Sequence, residues 1–117
     1  MDNVDELEIR KFEALAARWW DPDSEFKPLH EINPLRMSYI SRKVNPAGRK
    51  VLDIGCGGGI LAEAMAHHGA SVTAIDMADA SLLVARLHQL ESKLEIDYQK
   101  SSAEQYAQDH SQQFDIV

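Results

Sequence analysis

The sequence has little cysteine, no long apolar run and few positive charges. Its 117 residues include one cysteine, Cys56, so an internal disulfide is excluded, and no cysteine or histidine pair has zinc-site spacing. We therefore expect a reducing compartment and no metal. The N-terminus is too charged for a signal peptide, and the longest apolar stretch is far shorter than the roughly 20 residues of a membrane span. These absences predict a cytoplasmic chain whose membrane contact, if it has one, is peripheral.

The charge balance is acidic. Twelve Lys and Arg residues stand against 19 Asp and Glu residues, which gives a net charge of −7. No basic cluster is present that would neutralise phosphates, so we expect no nucleic-acid partner. The length, with 44% hydrophobic and 26% charged residues, predicts one small globular unit.

The first part of the chain, residues 1–48, is predicted to be helical. Residues 4–20 carry six apolar side chains at helical spacing, namely Val4, Leu7, Phe12, Leu15, Ala16 and Trp19. A polar loop that contains His30 follows. Asn33 and Pro34 then predict the start of a second helix, as a cap residue and a proline at the first helical position.

Strands and helices alternate over residues 49–117. Strands are predicted at 50–54, 71–75, 94–100 and 114–117, with helices at 60–68 and 81–94 and a short helix capped by Ser101 and Glu104. In the helix at 81–94, apolar positions 83, 87, 90 and 94 share one face. This order predicts an α/β fold with a parallel sheet of about four strands. Because the sequence stops within the last predicted strand, we expect the N-terminal part of a longer enzyme.

A glycine-rich turn follows the first strand, where backbone amides of a parallel sheet meet ligands. Its pattern is Asp53-x-Gly55-x-Gly57-x-Gly59. A Walker loop would place lysine and a hydroxyl after the last glycine, and the dinucleotide fingerprint would require glycine in place of Ile60. The Asp53 carboxylate would repel a pyrophosphate, but it suits a ligand that carries ammonium and sulfonium groups. The motif therefore predicts S-adenosyl-L-methionine (SAM) as the cofactor.

A second acid, Asp76, ends the next strand, 21 positions beyond Gly55. A carboxylate there can accept hydrogen bonds from both ribose hydroxyls, in NAD sites and SAM sites alike. An NAD(P)-dependent oxidoreductase therefore stays as an alternative, as does a non-catalytic binding or assembly fragment that pairs through its open sheet edge. In the plain structural interpretation, Asp76 caps a loop and Asp53 is a satisfied acid at a strand end.

DxGxGxG after a strand, with an acid ending the next strand, resembles the class I SAM-dependent methyltransferases. The segments FEALAARWWD, EFKPLHEINPLRMSYI and KVLDIGCGGGILAEAMA, in that order, are similar to the ubiquinone-biosynthesis O-methyltransferase family. The resemblance extends from about Val4 to Val117. It implies a Rossmann-like fold in which residues 1–48 cover the cofactor site and residues 49–117 form the first half of the SAM-binding domain.

The resemblance also implies the reaction and its partners. Members of that family methylate polyprenyl catechol and hydroquinone intermediates, so we expect a hydrophobic polyprenyl phenol substrate. Peripheral contact with the inner membrane and association with other quinone-biosynthesis enzymes are further expectations. The catalytic base is not identified, and we expect the 117-residue chain alone to be inactive.

The resemblance matches Arg36, Gly55 and Asp76 to cofactor-binding positions. Arg36 also has a physical argument, since a cation in the first turn of a helix is disfavoured unless an anion, such as the SAM carboxylate, lies nearby. Ser102 and Ala103 follow the third strand, where this class of enzyme meets the adenine. Asp53 and Gly57, from the glycine-rich motif, complete the predicted cofactor-binding set. The whole set is Arg36, Asp53, Gly55, Gly57, Asp76, Ser102 and Ala103.

Two tryptophans, Trp19 and Trp20, end the first predicted helix. They are interpreted either as an aromatic lid on the cofactor pocket or as a packing anchor with Trp19 buried. Cys56 is interpreted as a small residue that fits a tight turn rather than as a nucleophile.

Overall fold

A computed structural model describes residues 3–117 of the chain, with side chains from residue 6 onward. Residues 1 and 2, and the predicted apolar side chain of Val4, lie outside that description. The described residues form five helices and three strands in the order α1 (Asn3–Trp19), α2 (Lys27–Lys43), β1 (Lys50–Ile54), α3 (Ile60–His67), β2 (Ser71–Asp76), α4 (Asp79–Ser92), β3 (Ile96–Lys100) and α5 (Ala103–His110). No helix within residues 3–117 is both long enough and apolar enough to cross a membrane.

The three strands form a parallel sheet in the order β1-β2-β3. Val72 lies opposite Val51 on one side and opposite Ile96 on the other. The predicted fourth strand, 114–117, contributes a single parallel bridge from Ile116 to the free edge of β1, with Leu52 N–H donating to the Ile116 carbonyl at 2.9 Å. The predicted α/β fold is confirmed, and within the described residues the predicted fourth strand makes this one bridge.

Successive residues of each strand face opposite sides of the sheet, which gives two apolar layers. The larger layer joins the sheet to α2, α3 and α4 through buried side chains that include Met37, Val51, Ala62, Met65, Val72, Ala74, Leu82, Ala85, Ile96 and Tyr98. The smaller layer joins it to α5 through Leu52, Ile75 and Tyr106. As predicted, Ile96 and Tyr98 lie on one side of β3.

The predicted face of α4 is wrong. The helix buries Leu82, Val84 and Ala85, whereas Leu90 leaves 75% of its surface exposed. The physical reason is that α4 contacts the sheet on one side and α1 on another, so its buried residues do not follow a single stripe. Sequence periodicity alone assumes one buried face.

The second helix begins earlier than predicted. Residue Lys27 starts α2, Pro28 occupies its first turn, and Pro34 lies inside the helix. The Ser24 hydroxyl makes this start possible, because it accepts a hydrogen bond from Phe26 N–H at 3.1 Å and closes the preceding turn. The cap predicted at Asn33 is therefore wrong, because Asn33 lies inside α2. The sequence alone does not decide between Pro28 and Pro34, since either proline would suit a first helical turn.

The cap of the last helix is displaced by one residue. Ser102, rather than Ser101, is the N-cap of α5, and its hydroxyl accepts from Gln105 N–H at 3.1 Å. The Gln105 side chain bonds in return to Ser102 N–H. The predicted partner Glu104 lies in the first turn of the helix instead. Two adjacent serines, followed by adjacent Glu and Gln, leave the sequence pattern ambiguous by one position.

Candidate functional site

The glycine-rich turn connects β1 to α3 at the carboxyl end of the sheet. Gly55, Gly57 and Gly59 all have positive φ angles, of 71°, 56° and 91°. The turn is joined to β2, because Gly55 N–H and Cys56 N–H both donate to the Ile75 carbonyl, at 2.9 and 3.0 Å. Backbone groups of the turn are therefore held at the strand end where parallel sheets bind ligands.

A cavity of about 240 Å³ lies beside this turn. It is lined by residues of the turn, of β1 and α3, and of the N-terminal helices, namely Trp19, Leu29, Asn33, Arg36, Asp53, Gly55, Cys56, Gly57, Gly58, Ile60 and Leu61. Four of the predicted cofactor-binding residues, Arg36, Asp53, Gly55 and Gly57, thus share one cavity. The structure brings them together from positions up to 21 residues apart in the chain.

The Asp53 carboxyl is the main electrostatic feature of the cavity. Its Oδ2 atom is buried and has no hydrogen-bond partner within residues 3–117. Burial raises the pKa of Asp53 to about 6, the Arg36 guanidinium opposes that rise, and Asp76 adds to it. A buried carboxyl oxygen without a partner is costly, and a cationic donor in the cavity would relieve that cost.

Arg36 is exposed and lines the cavity, but the helix argument made for it is wrong. Because α2 begins at Lys27, Arg36 lies in the middle of the helix and not in its first turn. The dipole of the helix therefore does not act on it. The Arg36 guanidinium instead interacts with the charge of Asp53 and lowers the pKa of that carboxyl.

Asp76 holds the glycine turn rather than lining the cavity. Its Oδ2 atom accepts from Gly57 N–H at 2.9 Å, and Oδ1 accepts from Ala78 N–H at 2.8 Å. Each carboxylate oxygen has a second lone pair, so this arrangement leaves acceptor capacity for a ligand hydroxyl. The sequence did not indicate the bond between Asp76 and Gly57.

Ser102 and Ala103 do not line the cavity. The Ser102 hydroxyl is engaged in the α5 cap, and Ala103 is the first residue of that helix. The turn before them is joined to β2 through the backbone, where Ser101 N–H donates to the Asp76 carbonyl at 3.2 Å. Contact of Ser102 and Ala103 with an adenine stays a prediction.

Asn33 is a cavity residue that sequence reasoning missed. The sequence predicts a helix cap at this position, whereas the residue lies within α2 and lines the cavity. Its Oδ1 atom is buried without a partner in the described part of the chain. The sequence did not indicate a cavity role for Asn33, because Asn before Pro is typical of a helix start.

Trp19 forms one wall of the cavity. It is half-buried, and its ring stacks on Phe26 with centroids 4.4 Å apart. The indole passes so close to the turn that a Cβ atom at Gly58 would lie 2.3 Å from Trp19 Nε1. Gly58 has no positive φ, so the reason for glycine at this position is the approach of the indole.

We expect Gly58→Ala to destabilise the fold by about 1–3 kcal/mol, because the new methyl group must displace the indole. Thermal denaturation measures this cost. In a Trp19→Ala background the same change should cost much less, since the obstructing ring is gone. An equal cost in both backgrounds would contradict the contact.

Cys56 is a packing residue, in keeping with its interpretation from sequence. It is buried, and burial together with the charges of Asp53 and Asp76 raises the pKa of its thiol to about 12. A thiol with that pKa carries almost no thiolate at neutral pH and is a poor nucleophile.

Comparison with known proteins places this geometry in a family. The methyltransferase domain family matches residues 51–117. Ubiquinone biosynthesis O-methyltransferases from Pseudomonas aeruginosa and Azotobacter vinelandii are each 65% identical over all 117 residues, and one from Pseudomonas fluorescens is 62% identical. The chain spans about half the length of these curated relatives.

Solved structures share the fold. A magnesium protoporphyrin IX methyltransferase from Synechocystis with bound S-adenosylhomocysteine (SAH) superposes with a TM-score of 0.65 at 19% identity, over 80% of this chain and 47% of that one. A SAM-dependent methyltransferase from Agrobacterium tumefaciens gives 0.61 at 22% identity, over 72% and 30%. The resemblance inferred from the sequence is thereby confirmed, and the chain belongs to the methyltransferase domain family.

Proposed function

We propose that this chain forms part of the cofactor site of a SAM-dependent O-methyltransferase of ubiquinone biosynthesis. The observation that carries the proposal is Asp53, which lines a cavity together with Arg36 and whose carboxyl has a buried oxygen without a hydrogen-bond partner among the described residues. The names of the relatives, at 62–65% identity over the whole chain, support the same reaction. They do not favour an NAD(P)-dependent oxidoreductase or a non-catalytic fragment.

The residues of the cavity fit the amino-acid end of SAM. That end carries an ammonium and a carboxylate, which are complementary to the Asp53 carboxylate and the Arg36 guanidinium. A pyrophosphate would instead face the negative charge of Asp53. Gly55 and Gly57 have no side chain, so their backbone can approach the ligand closely.

The division of work between cofactor and protein follows from these contacts. Bound SAM supplies an electrophilic methyl group on a sulfonium. Asp53 and Arg36 orient its amino-acid end, and Asp76 holds the turn while keeping lone pairs free for the ribose hydroxyls. In this proposal Ser102 and Ala103 lie near the adenine.

The proposed substrate is a hydrophobic polyprenyl catechol or hydroquinone, in line with the names of the relatives. A substrate of that kind partitions into lipid, so we propose a cytoplasmic enzyme with peripheral contact at the inner membrane, associated with other enzymes of quinone biosynthesis. We propose in addition that the 117-residue chain alone does not turn over.

The proposal is tested by titration calorimetry of the intact protein with SAH. We expect saturable binding, weakened about ten- to a hundredfold by Asp76→Ala, because both the turn and the ribose lose an acceptor. Asp109→Ala, which removes an exposed acid of α5, is the matched control and should leave the affinity unchanged. Transfer of a labelled methyl group from SAM to a prenylated catechol tests the substrate class.

Two results would contradict the proposal. Absence of SAH binding by the unchanged protein would remove the cofactor assignment. SAH binding without methylation of any prenylated catechol or hydroquinone would remove the substrate assignment and leave the cofactor site standing.

A further inference from the structure

Three side chains from three parts of the chain form a continuous stack behind the glycine turn. Glu63 of α3 is a buried acid, only 5% exposed. His88 of α4 lies against it, with Nδ1 2.5 Å from Oε2 of Glu63. Because a carboxylate can only accept, the histidine is the donor and its ring orientation is set by this bond. A buried acid with a partner of this kind is satisfied, and the histidine is held in place.

The ring of His88 in turn supports Trp20. The imidazole and indole are nearly parallel, with an interplanar angle of 5° and centroids 3.5 Å apart. The stack places the indole edge at the glycine turn, where Trp20 Nε1 donates to the Gly58 carbonyl at 3.1 Å. A chain of contacts thus extends from a buried carboxylate to the backbone of the turn, although none of these three side chains lines the candidate cofactor cavity.

The alternative interpretation is that Trp20 only packs α1 against α4. A packing role requires a buried ring and some acceptor for its N–H, but it does not require that acceptor to lie in the glycine turn. The neighbouring Trp19 contacts the same residue, Gly58, from the side of the cavity. The backbone of the turn is therefore held by two indoles, one by contact and one by a hydrogen bond.

We propose that Trp20, oriented by the His88–Glu63 pair, is a positioning residue that keeps the glycine turn in the conformation that accepts the cofactor. This inference rests on the proposed function, since it assumes that the cavity beside the turn binds SAM. The residues act through the Gly58 peptide and not by touching the cofactor. Their loss should therefore reduce affinity at a site that keeps all of its own side chains.

The test compares two complementary variants of the intact protein. Trp20→Phe keeps a ring for His88 to stack on and removes the indole donor. His88→Gln keeps a donor for Glu63 and removes the ring. Each should weaken SAH binding about five- to tenfold, which is the effect of one lost hydrogen bond or of its misplacement. Titration calorimetry gives the affinity, and thermal denaturation gives the stability of each variant.

Leu87→Ala is the matched control, because Leu87 lies with Trp20 and His88 in the groove between α1 and α4. It should lower the melting temperature and leave SAH affinity within about twofold, since it removes packing. Unchanged affinity in Trp20→Phe and His88→Gln would overturn the inference alone. An equal loss of affinity in Leu87→Ala would overturn it as well, by assigning the effect to general packing. Absence of SAH binding in the unchanged protein would contradict the proposed function itself.

Discussion

Gly59→Ala should lower the free energy of unfolding by at least about 3 kcal/mol and the melting temperature by more than about 10 °C. Two costs add. Gly59 has a φ of 91°, which side chains rarely adopt, and a Cβ atom there would lie 2.4 Å from the Tyr98 hydroxyl and 3.3 Å from Ala85 Cβ. Both neighbours are buried in the core, so neither can move cheaply.

Tyr98→Phe separates the two costs. The Tyr98 hydroxyl is buried without a partner in the described part of the chain, so its removal alone should leave stability unchanged or raise it by about 1 kcal/mol. Combined with Gly59→Ala, it should recover the part of the loss that comes from the clash and leave the part that comes from the backbone angle. Strictly additive effects of the two changes in thermal denaturation would show that no clash exists.

The second large effect is expected at Asp53, and it concerns binding. Asp53→Asn should weaken SAH binding by a factor of about 30, because a charge-assisted bond to the ligand ammonium is replaced by a neutral one. The isosteric amide keeps the volume of the side chain, so the cavity itself should persist. Titration calorimetry near pH 7.5 measures the change, and an unaltered affinity would contradict the role of Asp53 as the ammonium partner.

The raised pKa of Asp53 adds a pH dependence with a defined sign. Burial raises this pKa to about 6, and an ammonium ligand binds the ionised form. Affinity should therefore be highest above pH 6 and fall as the carboxyl is protonated below it, by up to about tenfold between pH 7.5 and pH 5. The Asp53→Asn variant should lack this dependence, because it has no proton to bind at this position. An identical profile in the variant would assign the titration to another group.

Much of the fold could be predicted because its signals are local. A glycine turn and β-branched runs specify β1, β2 and the α3 connection, and the structure reproduces their bounds to within about one residue. The start of α2 could not be placed, because two prolines suit a first turn and the choice depends on the bonds of Ser24. The buried face of α4 depends on α1, which is at least 60 residues earlier in the chain.

In the candidate site, too, some residues could be predicted from local sequence and others could not. The position of Asp53, Gly55 and Gly57 beside the cavity could be predicted from one short motif, because the motif follows a strand of a parallel sheet. Arg36 is matched by resemblance, and it lines the cavity from the middle of α2, where the argument from a first helical turn does not apply.

The contacts of the two indoles with the turn could not be predicted, because they join residues that are 38 or 39 positions apart. No local sequence pattern at the tryptophans or at the glycine turn indicates that the two segments are in contact. The glycine at position 58 in particular looks like one more flexible residue of the turn until the Trp19 ring is placed beside it.

The pairing of Ile116 with the free edge of β1 has a consequence for the order of assembly. The β1–β2 and β2–β3 partners are 21 and 24 residues apart, whereas Val51 and Ile116 are 65 apart. Closing the longer loop costs about 1 kcal/mol more in chain entropy. We therefore expect the three-stranded sheet and its glycine turn to form first, and the Leu52 amide to exchange with solvent faster than its neighbours in the sheet.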